Sequence, residues 1–177
     1  MRKEDAIKRY MEFSRKHIDE ATAIHEAGHM CIAKGLFPER DWHYSIGKNG
    51  EPMVEGGGQF EFSTAKEIAE LVMYSIAGIV SEANWLGLGD HIMAILKWEL
   101  EQEKKFDESH EGCTGDCTQV ENLMATYKKW FGRDFDLSIE ARNVLATFRH
   151  KANKKIYMAE IHNAKRYFKD KPLEFVA

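Results

Sequence analysis

Proline is scarce in this chain, with three residues in 177, at positions 38, 52 and 172. Because proline removes a backbone donor and breaks helices from within, its scarcity leaves long stretches open to helix. Basic charge is not in excess either: 29 Asp and Glu against 25 Lys and Arg give a net charge of -4. A general nucleic-acid binder would normally be basic, and none is expected here. The longest apolar run, Leu71 to Val80, is about half of the roughly 20 residues a membrane-spanning helix needs. Cysteine is limited to Cys31, Cys113 and Cys117. An odd count, with no apolar signal segment after the charged start Met1-Arg2-Lys3-Glu4-Asp5, points to reduced thiols and a cytoplasmic protein. There is no G-x-x-x-x-G-K-[ST] loop, and Gly56-Gly57-Gly58 is followed by neither Lys-Ser nor Lys-Thr. Phosphate-loop chemistry is thereby excluded.

What is present is mostly helical periodicity, read as one domain over residues 1–177. The fold class expected is mainly α (α+β), with a small antiparallel β-sheet. Ile7, Tyr10, Met11 and Phe13 predict a helix over 4–17. A second begins near Asp19 or Thr22, both good N-cap types, with Gly35 as its C-cap. Alternation in 42–46, 53–55 and 59–62, around the turn signal Gly47-Lys48-Asn49-Gly50, predicts two or three short strands. The glycine run at 56–58 suggests a bulge or close backbone approach. Thr64-Ala65-Lys66-Glu67 is a capping box. It opens a helix to about Leu86 that is apolar around most of its circumference, and so belongs at the centre of the core. Further helices are expected from Asp90 to Lys105, from a cap at Asp116 to Gly132, and as one long element from Asp136 to Lys171. Cys31 falls at core spacing.

The stretch with chemistry in it is His25-Glu26-Ala27-Gly28-His29, an H-E-x-x-H run inside the second helix. Residues four apart lie one turn up the same face, so both imidazoles can address one metal ion. Glu26 is placed to take a proton from a water on that metal. A catalytic zinc needs a third protein ligand. His110, Cys113 and Cys117 are available, but hydrolytic sites of this type use His, Glu or Asp. A thiolate would make the water less acidic, and Gln119 is a weak donor. His43, between aromatic neighbours on a strand, reads as structural. Chemistry alone leaves Asp116 and Glu82 open.

Thr22-Ala23-Ile24-His25-Glu26-Ala27-Gly28-His29 resembles the zinc-motif helix in the peptidase domain of the FtsH family of ATP-dependent metalloproteases. The likeness continues in order. Gly57 to Phe62 resembles the family's active-site edge strand. Ala77-Gly78-Ile79-Val80-Ser81-Glu82-Ala83 is similar to its Gly-Gly-x-x-Ala-Glu helix. Thr114-Gly115-Asp116 resembles the segment that delivers the third ligand, and Leu137, Ser138, Glu140 and Ala141 look like the start of its long C-terminal helix.

The resemblance implies a zincin-like helical peptidase domain holding Zn²⁺ through His25, His29 and Asp116, with Glu26 as the catalytic base. Glu82 becomes a group that orients a ligand histidine, or an alternative ligand. In the family pattern the aspartate lies four residues after the glycine, which is Gln119 here. Setting Asp116 on the ligand instead puts Cys117, Val120, Leu123 and Met124 where that helix needs apolar residues, so the loop reads as one turn shorter. Gly57, Gly58, Gln59 and Phe60 would bind substrate by strand addition. Residues 88–112 stand as an insertion able to cover or regulate the cleft.

The activity implied is that of a zinc metalloendopeptidase acting on flexible or unfolded polypeptide. A separate ATPase is a possible partner, since no motor or membrane span is present in these residues. Oligomerisation is a further expectation. The rival readings are a zinc-binding regulatory or interaction protein with an inactive peptidase-like site, and a helical protein carrying the motif by coincidence.

Overall fold

A computed structural model describes residues 1–48, 50–57, 60–107 and 115–171. Among them are seven α-helices and one two-stranded sheet. The helices are α1 (Lys3–Lys16), α2 (Ile18–Leu36), α3 (Ala65–Trp85), α4 (Ile92–Asp107), α5 (Asp116–Phe131), α6 (Leu137–Arg149) and α7 (Lys151–Phe168). The strands β1 (His43–Ile46) and β2 (Pro52–Glu55) pair antiparallel, with Tyr44 opposite Val54. The mainly helical architecture with a small sheet is as expected. No helix among the described residues is long and apolar enough to cross a membrane.

Local chemistry sets the two helices that matter most. The capping box at the start of α3 is present: Glu67 N–H donates to Thr64 Oγ1 at 3.2 Å, and Thr64 N–H donates to Glu67 Oε2 at 2.9 Å. Two orphan donors are thus satisfied before the apolar run begins. Ile68, Leu71, Val72, Ile76, Ile79, Val80 and Ala83 are all buried, and α3 packs against α2, α5 and α6. It is the central helix its sequence predicted.

Against it lies α2, crossing at two glycines. A Cβ on Gly28 would stand 2.5 Å from both the Ala77 carbonyl oxygen and Ser81 Cβ, and one on Gly78 would overlap the imidazole of His25. The mid-helix glycine, which costs about 1 kcal/mol in propensity, is required by this close crossing. Ser81 Oγ then donates to the Ile24 carbonyl at 2.6 Å, tying α3 to the turn that carries the motif.

Several expectations are corrected. Gly35 is not a C-cap: α2 continues to Leu36, and the Phe37 N–H bonds the Ala33 carbonyl at 2.8 Å. Phe60 to Phe62 form no strand. Phe60 is drawn instead into an aromatic cluster with Phe37, Trp42 and Tyr74, while Phe62 packs on Trp130. The glycine run does mark a close approach, at Gly56, where a Cβ would meet the Trp42 ring, and Gly57 has φ +66°.

Asp116 is the first residue of α5 rather than its cap, a place taken by Gly115. The long C-terminal helix is two helices, separated at His150, whose backbone is extended (ψ 129°) and whose imidazole accepts the Ala152 N–H. The break lets α6 pack on α3 and α7 on α2, with Ile139 and Ile156 exposed. In the described part of the segment read as an insertion, Leu88, Ile92, Ile95 and Leu96 are core residues. Cys31 is buried as expected, as is Cys117. Gly58, Gln59, His110 and Cys113 lie outside the described residues.

Candidate metal centre

α2 presents His25 and His29 one turn apart toward α3, and the start of α5 brings Asp116 to them. Each imidazole is oriented by its Nδ1. His25 Nδ1–H donates to Glu82 Oε1 at 2.7 Å, and His29 Nδ1–H donates to the backbone carbonyl of Tyr74 at 2.8 Å. Both partners are acceptors, so both Nδ1 atoms carry the hydrogen. In the neutral rings the lone pairs therefore sit on Nε2.

The two Nε2 atoms are 3.1 Å apart, and Asp116 Oδ2 lies 3.1 Å from one and 2.9 Å from the other. Three acceptor atoms at such spacing repel one another unless positive charge lies among them, either as protons on the imidazoles or as a metal ion. Zinc with ligands at 2.0–2.1 Å in a tetrahedron would space its donors about 3.3 Å apart. The residues present therefore fit a metal, and these three form the described cluster able to hold one.

Burial distributes the roles. His29 is nearly enclosed, whereas Asp116 is one-third exposed (33%) and His25 about one-quarter (24%). The open side faces a cleft of about 690 Å³ whose wall includes His25, Glu26 and Asp116, with Ser14 and Arg15 from α1 and Glu99 from α4. A catalytic metal site needs such an open position. Glu26 is buried (6%), and burial pushes its carboxyl up to about 7 despite the nearby histidines. Burial works against charge on His25 and His29, but Asp116, with Glu82 beside His25, holds both imidazoles above the usual range. Burial would raise Asp116 too, yet the two histidines outweigh it and keep that carboxyl well below the ordinary value.

These shifts give the metal-free protein a definite pH response. The histidines hold protons more firmly folded than unfolded, so their stabilisation is complete below 6.5, the unfolded value, and is lost as pH rises through the raised folded values. Glu26 acts in the same direction between its unfolded 4.5 and about 7. Asp116 opposes this only below its unfolded 3.8. Thermal melts of metal-free protein should therefore fall in midpoint from about pH 5 to pH 8. Added zinc must displace those protons, so its stabilising shift should grow over the same range. A metal-free midpoint that rises with pH would contradict this electrostatic arrangement.

Of the sequence candidates, the structure brings together His25, Glu26, His29, Glu82 and Asp116. Gln119 lies within α5, three residues beyond Asp116, and its N–H bonds the Gly115 carbonyl. His43 is at the exposed edge of β1, near Glu55. Gly57 and Phe60 do not line the cleft. The Gly57 carbonyl accepts a bond from Arg40 at 2.8 Å, and Phe60 reaches the site indirectly, through the Tyr74 ring that stands 5.2 Å from His29. Three contributors were missed in the sequence. Tyr74 acts through a backbone carbonyl, which no side-chain pattern reveals. Ser14, 68 residues from Glu82, donates to it across α1 and α3. Gly78 was visible only as part of a motif, not as the space beside His25.

The fold and site thus define a mainly helical chain in which two histidines of an H-E-x-x-H helix meet an aspartate from the start of α5. Comparison with models of known protein families, with curated proteins and with solved structures returned no match.

Proposed function

We propose that the protein is a zinc-dependent metallopeptidase of the kind the FtsH-like motifs imply, cleaving flexible or unfolded polypeptide. The observation that carries this reading is the triangle of His25 Nε2, His29 Nε2 and Asp116 Oδ2 at 2.9–3.1 Å, opening onto the cleft that Glu26 also lines. His25, His29 and Asp116 would hold the zinc, with Glu82 and the Tyr74 carbonyl fixing the imidazoles. When bound, zinc supplies Lewis acidity, which acidifies water and polarises a carbonyl oxygen. Glu26, one residue from His25, takes the proton of the attacking water and returns it to the leaving amine. Burial, which raises its carboxyl in the metal-free chain, favours its taking up a proton. Gly57 and Phe60 lie off the cleft lining, so the strand addition expected of Gly57, Gly58, Gln59 and Phe60 is no part of this reading.

Two histidines and a carboxylate also suit iron(II). Glu26 beside the first histidine favours hydrolysis and hence zinc. The test combines metal analysis of the purified chain with cleavage of an unfolded protein such as casein. Near-stoichiometric zinc and cleavage that a chelator removes and zinc restores are expected. Zinc without cleavage would favour the regulatory reading, iron would overturn the hydrolytic one, and no metal would leave the motif coincidental.

A further inference from the structure

A carboxylate has two oxygens, and His25 uses only one of those on Glu82. Oε1 accepts the His25 Nδ1–H at 2.7 Å, while Oε2 accepts the hydroxyl of Ser14, on α1, at 3.0 Å. We propose that Ser14 is a positioning residue for the metal centre: through Glu82 it sets the orientation of His25 and so tightens metal binding. The proposal rests on the reading of His25, His29 and Asp116 as zinc ligands.

Glu82 is buried (5%) on an otherwise apolar stretch of α3, where each carboxylate oxygen needs a donor. Ser14 has a single hydroxyl hydrogen and two acceptors in reach. The carbonyl of Tyr10, four residues back at 3.3 Å, is the one a helical serine ordinarily uses. Glu82 is closer, and it is charged, which makes it the stronger acceptor. The hydroxyl is therefore turned away from its own helix and toward the ligand's support.

Both residues stand on the cleft wall, where water would otherwise compete for Oε2. With Oε2 held, the carboxylate cannot rotate, and the imidazole it grips cannot swing Nε2 off the metal. The N-terminal helix, which packs on α2 and α4, thereby becomes part of the metal centre although it supplies no ligand.

Ser14→Ala tests this with little risk to the fold, because alanine is the best helix former and Ser14 is only half-buried. Zinc affinity measured by competition with a chromophoric chelator should weaken about three- to tenfold, less than the roughly 10–100-fold typical when a direct partner of a ligand is removed. Ser14→Thr keeps the hydroxyl and should restore it. In the cobalt(II)-loaded protein the visible absorption should shift in Ser14→Ala and return in Ser14→Thr. Unchanged affinity and spectrum in Ser14→Ala, or a loss that threonine does not repair, overturns the proposal while leaving the ligand assignment standing. A wild-type chain that takes up neither zinc nor cobalt overturns both.

Discussion

With Glu26 changed to glutamine, peptide cleavage should fall by about 10²–10⁴-fold while zinc content stays at the wild-type level. Glutamine matches the shape of glutamate but cannot accept a proton, and no ligand atom is touched. A second readout comes from burial. The carboxyl is held up to about 7, against 4.5 when unfolded, so above neutral pH the folded chain bears an anion that it disfavours. The neutral amide removes that penalty, and metal-free Glu26→Gln should melt above wild type at pH 8. Loss of activity with gain of stability is the mark of a group kept for chemistry rather than for folding. Cleavage retained in this variant would remove the proposed mechanism.

The second large effect is expected at Gly78. Its missing side chain is the space that His25 occupies, and a Cβ there would overlap the ring at Nε2, the atom offered to the metal. Gly78→Ala should cost the metal-free fold about 1–3 kcal/mol through overpacking, partly offset by about 1 kcal/mol of helix propensity. Zinc affinity should drop by at least roughly tenfold, because a ligand ring is displaced rather than merely left unsupported. Gly28→Ala is the matched control. It crowds the Ala77 carbonyl and Ser81 at the same helix crossing, where Gly78→Ala crowds the His25 ring. Comparable destabilisation in the two variants, with zinc binding lost mainly in Gly78→Ala, is the expected pattern. Wild-type zinc affinity in Gly78→Ala would mean that His25 does not sit where the structure has it.

The comparison of sequence with structure divides by range. The motif helix, the capping box at Thr64 and the burial of α3 follow from residues a few positions apart, and these were legible. Asp116 lies 91 residues from His25 along the chain, and composition could not choose between it and Glu82. The resemblance named it, and the apolar spacing of Cys117, Val120 and Leu123, all buried, supported the shorter loop. In the fold Asp116 meets both Nε2 atoms, and Glu82 stands behind His25.

The failures have physical reasons as well. The alternation of Phe60 and Phe62 looked like a strand, but separate aromatic partners hold the two rings. Tertiary packing overrode the local pattern. The break at His150 carries neither proline nor glycine, so nothing in composition marked it; an imidazole caps α7 in place of the usual small polar residue. Residues 88–112 departed from the family pattern and read as an insertion able to cover or regulate the cleft; in their described part Leu88, Ile92, Ile95 and Leu96 join the core, and Glu99 reaches the cleft wall.

The burial of α2 has a kinetic consequence. From Ala21 to Ala33 every residue except His25 is buried, with α3 packed on one side and α7 on another. Helices enclosed in this way open only when the whole domain does, and their amides exchange with solvent at the slowest rates in a protein. Fraying of a loop therefore cannot dismantle the histidine pair. The lifetime of the histidine pair is that of the native state itself.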